Sequence, residues 1–215
     1  MLASKPTVLI KICGLQKPED AAVASEIGAD LLGVVFAPSK RKQAPMDARN
    51  IFAAARPHAE RVGIFVNATH KTVCEVIELC QLDRVQFGGN EPAHFCEQFG
   101  PRTIKTLRLP NDRDKFCDYR VPVFHLDTAH DTSAGGTGQP WDYSLALEVT
   151  KKHRVILGGG LNPTNVAEAI AVARPYGVDV SSGVETGGEK DASKIEDFIS
   201  AVRTASSEHR STACR

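Results

Sequence analysis

The feature that most constrains the fold is a regular alternation of two kinds of segment along the chain. Short runs of apolar and β-branched residues alternate with stretches in which apolar residues recur at helical spacing. The predicted strands cover residues 7–13, 30–36, 60–67, 84–87, 103–109, 121–127, 154–157 and 177–181. The predicted helices cover residues 18–27, 47–56, 71–81, 92–98, 112–118, 144–152, 163–173 and 193–204. Such alternation predicts a parallel sheet covered by helices.

Local patterns support this assignment. Runs such as LLGVVF and RVGIFV are apolar throughout, as in strands that are buried on both faces. Pro18 and Pro163 stand just inside predicted helices, and Asn162 is placed to cap the second of these. Eight strand–helix units in 215 residues predict a single closed (β/α)8 barrel, the TIM barrel, with an open doubly wound sheet as the alternative. We expect one domain over residues 1–215, with flexible ends at 1–6 and 206–215.

The charge balance argues against several classes of partner. Lysine plus arginine number 26 and aspartate plus glutamate number 26, so there is no broad positive field for nucleic acid or an anionic membrane. No apolar stretch approaches the roughly 20 residues of a membrane span, and MLASKPT lacks the apolar core of a secretory signal. We therefore expect a cytoplasmic protein, a monomer or homodimer, that acts on a small molecule.

One cysteine is placed differently from the others. The six cysteines show no two-residue gap of the kind found in zinc or redox motifs. Four lie in predicted helices, where buried thiols are common: Cys74, Cys80, Cys96 and Cys117. Cys13 instead ends the first strand, directly before a glycine, and shares a strand face with Lys11. The alternative is a small apolar cysteine beside a lysine that reaches solvent.

Glycine-rich segments follow the last two predicted strands. Strand seven ends in LGGGLNP and strand eight in VSSGVE. In (β/α)8 barrels the active site lies at the C-terminal ends of the strands, and these two loops often hold a phosphate. Glycine lets backbone N–H groups approach an anion closely. We predict a phosphate cradle formed by Gly159, Gly160, Ser182 and Gly183.

A carboxylate and a long loop follow the sixth predicted strand. Along VPVFHLD, His125 and Asp127 share one face, so Asp127 is expected to project into the barrel mouth. A turn-forming or capping role is the alternative. The segment from Asp127 to Ser144 is long and rich in glycine, and could fold over a ligand as a lid.

A second charged pair is expected beneath this mouth. Lys11 lies on the same strand face as Cys13, and Asp179 lies on the same strand face as Ser181. The first and eighth strands of a closed barrel are neighbours, and buried charges need partners. We therefore predict that Lys11 and Asp179 pair inside the barrel, and we include both in the substrate site.

Several blocks of sequence, in order over residues 7–200, resemble one enzyme family. KICGL, GADLLGVVFAPSKRK, RVGIFVN, LDT followed by GGTGQPWDYS, LGGGLNP and VDVSSGVE are similar to blocks of phosphoribosylanthranilate isomerase, an enzyme of tryptophan biosynthesis. The resemblance implies a small phosphate-binding barrel that uses no metal or cofactor. It also implies a reaction: N-(5′-phosphoribosyl)anthranilate is isomerised to 1-(2-carboxyphenylamino)-1-deoxyribulose 5-phosphate by an Amadori rearrangement.

The resemblance further implies roles for three residues. Cys13 is the general base that takes the C2′ proton, and Asp127 is the general acid that protonates the furanose oxygen. Arg41, in PSKRK after the second strand, faces the anthranilate carboxylate, to which a guanidinium can donate two parallel hydrogen bonds. We expect Lys11 and the dipoles of the phosphate end to favour the Cys13 thiolate.

The chain departs from the family pattern after the fourth strand. The usual block QLHGEE reads QFGGNE here, so Gly88 stands in place of histidine. His125 and His130 match no family motif, and we expect structural or solvent roles for them. Two alternatives stay open: a different phosphosugar isomerase or epimerase on the same scaffold, and a non-catalytic barrel that binds a phosphorylated metabolite.

Overall fold

Eight parallel strands close into a barrel in the computed structural model, which describes residues 8–128 and 142–212. The strands are β1 Leu9–Cys13, β2 Leu31–Val35, β3 Glu60–Phe65, β4 Arg84–Phe87, β5 Thr103–Leu109, β6 Val123–Thr128, β7 Val155–Leu157 and β8 Gly177–Val180. Each pairs with the next, and β1 also pairs with β8, which closes the sheet. The predicted barrel is confirmed, and the open sheet is wrong.

Helices connect successive strands around the outside. They are α1 Pro18–Ile27, α2 Pro45–Ala53, α3 His70–Cys80, α4 Ala93–Glu97, α5 Ser144–Thr150, α6 Val166–Ala173 and α7 Ala192–Thr212. Short 3-10 helices cover Gly100–Arg102, Arg113–Cys117 and Ser182–Val184, and a small hairpin of β9 Glu185–Thr186 and β10 Glu189–Lys190 follows β8. Within the described ranges, none of the helices is long and apolar enough to cross a membrane.

Several helices begin or end at other residues than predicted. The segment expected to be a helix over 112–118 forms only a 3-10 helix in which Phe116 alone is buried, so it has no apolar face to stabilise a longer helix. α6 begins at Val166 rather than 163, because Asn162 Oδ1 accepts from the backbone N–H of Thr164 in a turn before the helix. α7 continues to Thr212, beyond its expected end at residue 204.

The core has two layers, which follow from the period of two along each strand. Outward-facing residues such as Ile10 and Ile12 are fully buried against the helices. Inward-facing apolar residues form a second cluster inside the barrel: Cys13, Leu31, Val62, Ile64, Ile104, Val123 and Ile156. Polar residues share this inward face: Lys11 lies two positions before Cys13 on β1, and His125 lies two positions after Val123 on β6.

Candidate active site

Cys13 lies at the C-terminal end of β1, on the inner face of the barrel. It is 9% exposed and packs with the inner cluster. On the neighbouring strand β2, a Cβ added to Gly33 would lie 2.9 Å from the Cys13 sulfur. Glycine at position 33 therefore makes room for the thiol.

Lys11 forms a buried ion pair with Asp179. The two residues are paired in register between β1 and β8, with Lys11 Nζ 3.0 Å from Asp179 Oδ1. Lys11 is 0% exposed, so the alternative in which it reaches solvent is wrong. Burial acts to lower the pKa of Lys11, but Asp179 and Cys13 raise it above its ordinary value. Burial acts to raise the pKa of Asp179, but Lys11 and His125 lower it to about 2.

The surroundings of Cys13 act on its thiol in opposite directions. Burial raises the pKa of Cys13, Lys11 lowers it, Asp179 raises it and Lys190 lowers it. The net result is a pKa above the ordinary value of a thiol. Lys11 does favour the thiolate as expected, but burial has the larger effect.

His125 is part of this buried group, which the sequence did not predict. It is 4% exposed, and its Nε2 lies 2.9 Å from Asp179 Oδ2. The one feature of the sequence that indicates an inward-facing His125 is that it shares a strand face with Asp127. Although histidine, aspartate and cysteine meet inside the barrel, no group of three or more such side chains in the described ranges is arranged to hold a metal ion.

Asp127 lies near the end of β6 and is half-buried. In the register it is beside Arg108 of β5, and the period of two puts it on the same inward face as His125. Strands β7 and β8 separate β6 from β1, so Asp127 and Cys13 stand on different sides of the barrel mouth. The predicted lid and His130 fall largely on residues 129–141, outside the described residues.

Arg41, after β2, reaches the hairpin that follows β8 and binds Glu185. Its Nε and Nη2 donate to Glu185 Oε1 and Oε2, each at 2.7 Å. The side chain lies over Gly14, whose φ is +73° and where an added Cβ would collide with Arg41. Glu185 takes one edge of the guanidinium, so the Nη1–Nη2 edge is the one that a second carboxylate would meet.

Lys190 holds Glu185 from a second direction. Its Nζ lies 2.8 Å from Glu185 Oε1 and donates to the carbonyl oxygen of Ser181 at 2.9 Å. Burial acts to raise the pKa of Glu185, but Arg41 and Lys190 lower it below its ordinary value. Sequence reasoning missed both residues. Glu185 belongs to the block VSSGVE, but nothing in the sequence links it to Arg41, 144 positions away.

The loops after β7 and β8 pack against each other at the predicted phosphate cradle. Gly159 and Gly160 have φ values of +81° and +75°, which favour glycine. A Cβ on Gly183 would collide with the carbonyl oxygen of Leu161 in the other loop. Among the described residues, no acceptor is bonded to the backbone N–H groups of Gly159, Gly160, Ser182 and Gly183. The fold therefore gathers the four predicted residues, and the part of the protein that the structure describes offers their backbone N–H groups no acceptor.

Comparison with known proteins assigns the chain to a family. A family model described as N-(5′phosphoribosyl)anthranilate (PRA) isomerase matches residues 10–201. The chain belongs to this family. An N-(5′-phosphoribosyl)anthranilate isomerase from Desulforudis audaxviator is 43% identical over 201 residues, which cover 92% of this chain and 98% of the relative.

Solved structures of PRA isomerases share the fold. The phosphoribosyl anthranilate isomerase of Thermotoga maritima is 41% identical with a TM-score of 0.86, and the match covers 92% of this chain and 100% of that one. A second structure is 39% identical with a TM-score of 0.80 and the same coverage. It is a complex with reduced 1-(o-carboxyphenylamino)-1-deoxyribulose 5-phosphate. The closed barrel of this chain is thus that of PRA isomerases.

Proposed function

We propose that this chain converts N-(5′-phosphoribosyl)anthranilate to 1-(2-carboxyphenylamino)-1-deoxyribulose 5-phosphate in tryptophan biosynthesis. The observation that carries the proposal is the family match over residues 10–201. The site supports it, because a thiol, a carboxyl group, a guanidinium and a cluster of backbone N–H groups, for which the described residues offer no acceptor, all lie at the C-terminal ends of the strands.

In the proposed mechanism, Asp127 and Cys13 move the protons. Asp127 donates a proton to the furanose oxygen, the ring C–O bond breaks, and an iminium forms between C1′ and the anthranilate nitrogen. Cys13, as the thiolate, then removes the proton from C2′, and the electron pair of that C–H bond forms the enolamine. Tautomerisation of the enolamine gives the ketone. Placement of the two groups on different sides of the mouth suits a sugar that lies between them.

Two groups are proposed to hold the ends of the substrate. The backbone N–H groups of Gly159, Gly160, Ser182 and Gly183 bind the phosphate, since unpaired donors at close-packed glycine loops form an anion site. The Nη1–Nη2 edge of Arg41 binds the anthranilate carboxylate. Lys11 and Asp179, predicted as substrate residues, bind each other. We assign Lys11 to the electrostatic support of the Cys13 thiolate and Asp179 to holding Lys11 in place.

The experiment is turnover of N-(5′-phosphoribosyl)anthranilate by the purified protein and by two variants. We expect Cys13→Ala and Asp127→Asn to lower kcat by about 10²-fold or more, the range for loss of a general base or acid. Cys117→Ala is the control, because that thiol is exposed and outside the barrel mouth. Near-wild-type turnover of Cys13→Ala would contradict the assigned base. Binding of the substrate without turnover would instead favour the non-catalytic barrel.

A second test uses growth. A bacterial strain that lacks its own PRA isomerase is expected to grow without tryptophan when it carries this chain, and not when it carries Cys13→Ala. We propose that the protein works in the cytoplasm as a monomer or homodimer, with this small molecule rather than nucleic acid as its partner. The balanced charge supports the last point. Sedimentation of the purified protein gives its oligomeric state.

A further inference from the structure

A row of hydrogen-bonded polar side chains crosses the inside of the barrel below Cys13. The proposed acid–base mechanism gives most of these side chains no role. The members of the row come from five strands and are each 9% exposed or less: Gln86, Thr106, His125, Asp179 and Lys11. Gln86 Nε2 lies 3.1 Å from Thr106 Oγ1, which lies 3.3 Å from His125 Nδ1. His125 Nε2 and Lys11 Nζ then meet the two oxygens of Asp179, at 2.9 and 3.0 Å.

The hydrogen bonds of this row of polar side chains converge on Asp179. Lys11 can only donate, and Asp179 is held as a carboxylate, so it accepts from both sides. His125 therefore donates to it through Nε2–H. Gln86 donates its Nε2–H to Thr106, which leaves the Thr106 hydroxyl hydrogen free to bond His125 Nδ1. Each hydrogen bond from Gln86 through to Asp179 thus joins one donor to one acceptor.

The surroundings are shaped for His125. A Cβ on Gly158 would lie 2.6 Å from His125 Nε2, so glycine at position 158 leaves the space that the ring fills. Below the His125 ring lie apolar members of the inner cluster, among them Ile104, Val123 and Ile156. Apolar side chains could fill the polar level equally well, and buried polar groups are weak contributors to stability. A role beyond stability is therefore the better account of this row.

We propose that His125 is a positioning residue for the isomerisation: its bond to one oxygen of Asp179 keeps the other oxygen on Lys11, and so keeps the Lys11 ammonium beneath the Cys13 sulfur. This inference rests on the proposed role of Cys13 as the base. Thr106 and Gln86 in turn hold the imidazole in the orientation that points Nε2 at Asp179.

The charges around Cys13 predict that its pKa rises when the hydrogen bond from His125 is lost. Four charged groups act on the thiol or its partners: Lys11 on β1, Asp179 on β8, Arg41 after β2 and Lys190 on β10. Lys11 and Lys190 lower the pKa of Cys13, whereas Asp179 raises it. If the His125 donor is removed, the Asp179 carboxylate is less neutralised, and it no longer holds the Lys11 ammonium beneath the Cys13 sulfur. Both effects disfavour the Cys13 thiolate.

The experiment measures alkylation of Cys13 by iodoacetamide as a function of pH in the folded protein. Mass spectrometry of the Cys13-containing peptide separates this thiol from the other five, and the peptide with the exposed Cys117 is the internal reference. We expect His125→Leu to slow Cys13 alkylation about tenfold at pH 7, which corresponds to a shift of one pKa unit. Cys117 should be unchanged. His125→Gln, which retains a donor for Asp179, should recover most of the rate.

A matched pair of threonine substitutions tests the same row of polar side chains and disturbs the fold less than a change at His125. Thr106→Val removes the hydroxyl that bonds His125, whereas Thr103→Val removes an equally buried hydroxyl on the same strand that bonds the carbonyl oxygen of Cys96 outside the barrel. Thr106→Val should slow Cys13 alkylation about threefold, and Thr103→Val should leave it unchanged. The proposal is overturned if Cys13 alkylates at the wild-type rate in both His125→Leu and Thr106→Val, or if Thr103→Val slows it as much as Thr106→Val does.

The two readouts separate this inference from the proposed function. Alkylation reports the ionisation of Cys13 whether or not Cys13 is the base. Turnover by Cys13→Ala tests the base itself. If Cys13→Ala remains active while His125→Leu still slows alkylation, the role of Cys13 fails and the coupling between His125 and Cys13 stands. If Cys13→Ala is inactive and alkylation is unchanged in the His125 variants, only the positioning role fails.

Discussion

Arg41 and Glu185 meet through two parallel hydrogen bonds of 2.7 Å, although they lie 144 residues apart. This pair orients the guanidinium at the barrel mouth before any substrate binds. We expect Glu185→Gln to raise KM severalfold with a smaller effect on kcat, because Arg41 loses its ionic anchor, and Arg41→Ala to do the same. Steady-state kinetics measures both. Glu189→Gln on the same hairpin is the control, since Glu189 pairs with Lys17 in solvent; an equal KM change there would contradict the role of Glu185.

Gly183 tests the phosphate cradle. Because an added Cβ would collide with the Leu161 carbonyl oxygen, Gly183→Ala must push the two loops apart. We expect at least a tenfold rise in KM and a similar weakening of inhibition by inorganic phosphate. Gly88→Ala is the matched control at the same mouth, since the nearest atom to its Cβ is 3.6 Å away. Unchanged phosphate inhibition in a folded Gly183→Ala protein would argue against the cradle.

Gly88 replaces the histidine that is usual in the family block, and the backbone there leaves room for a Cβ atom. Among the described residues, leaving out the chain neighbours of Gly88, only Val66 Cγ2 and the carbonyl oxygen of Phe65 come within 4 Å of the added Cβ, at 3.6 and 3.7 Å. We therefore expect Gly88→His to change the free energy of unfolding by less than about 1 kcal/mol, because Gly88 is only partly buried and an added Cβ meets no close contact. Urea unfolding measures this. A loss of several times that value would show that the glycine is required by the fold.

The ion pair between Lys11 and Asp179 predicts how the free energy of unfolding depends on pH. The pKa of Asp179 falls from 3.8 to about 2 in the folded protein, so the stabilisation is fully present above pH 3.8 and is lost as the pH falls through about 2. The shift corresponds to about 2 kcal/mol. Urea unfolding between pH 6 and pH 2 should show this loss in the wild type and a smaller pH dependence in Asp179→Asn. Parallel curves for the two proteins would contradict it.

A second buried pair lies outside the barrel and holds the loop after β4. Lys105 Nζ lies 2.8 Å from Glu91 Oε2, and Glu91 also accepts from the backbone N–H of Gly89 at 3.0 Å. Lys105→Met leaves the Glu91 carboxylate buried without its cation, so we expect a loss of about 3 kcal/mol in the free energy of unfolding. Lys151→Met, which breaks an exposed pair with Glu148, should cost less than about 1 kcal/mol. Similar losses in the two variants would contradict this account.

Much of the fold can be read from local sequence. The bounds of β4, β5 and α1 agree with the prediction residue for residue, since apolar periodicity and a helix-starting proline are local signals. The same period of two placed Lys11 and Cys13 on one face, and the closed barrel then placed Asp179 beside Lys11. The 3-10 helix at Arg113–Cys117 was mistaken for an α-helix because its polar and apolar residues allow either.

What the chain order could not reveal is which side chains meet once the sheet is closed. The period of two along a strand predicts whether a residue faces into or out of the barrel. The partners of Arg41 and His125 depend instead on the register of several successive strands and on the loops that fold over the barrel mouth. Glu185, Lys190 and the glycine at 158 belong to the site for this reason. Local sequence thus determines the faces of the elements, whereas barrel closure determines the contacts between them, because those contacts join distant residues such as Lys11 and Asp179, which are 168 positions apart.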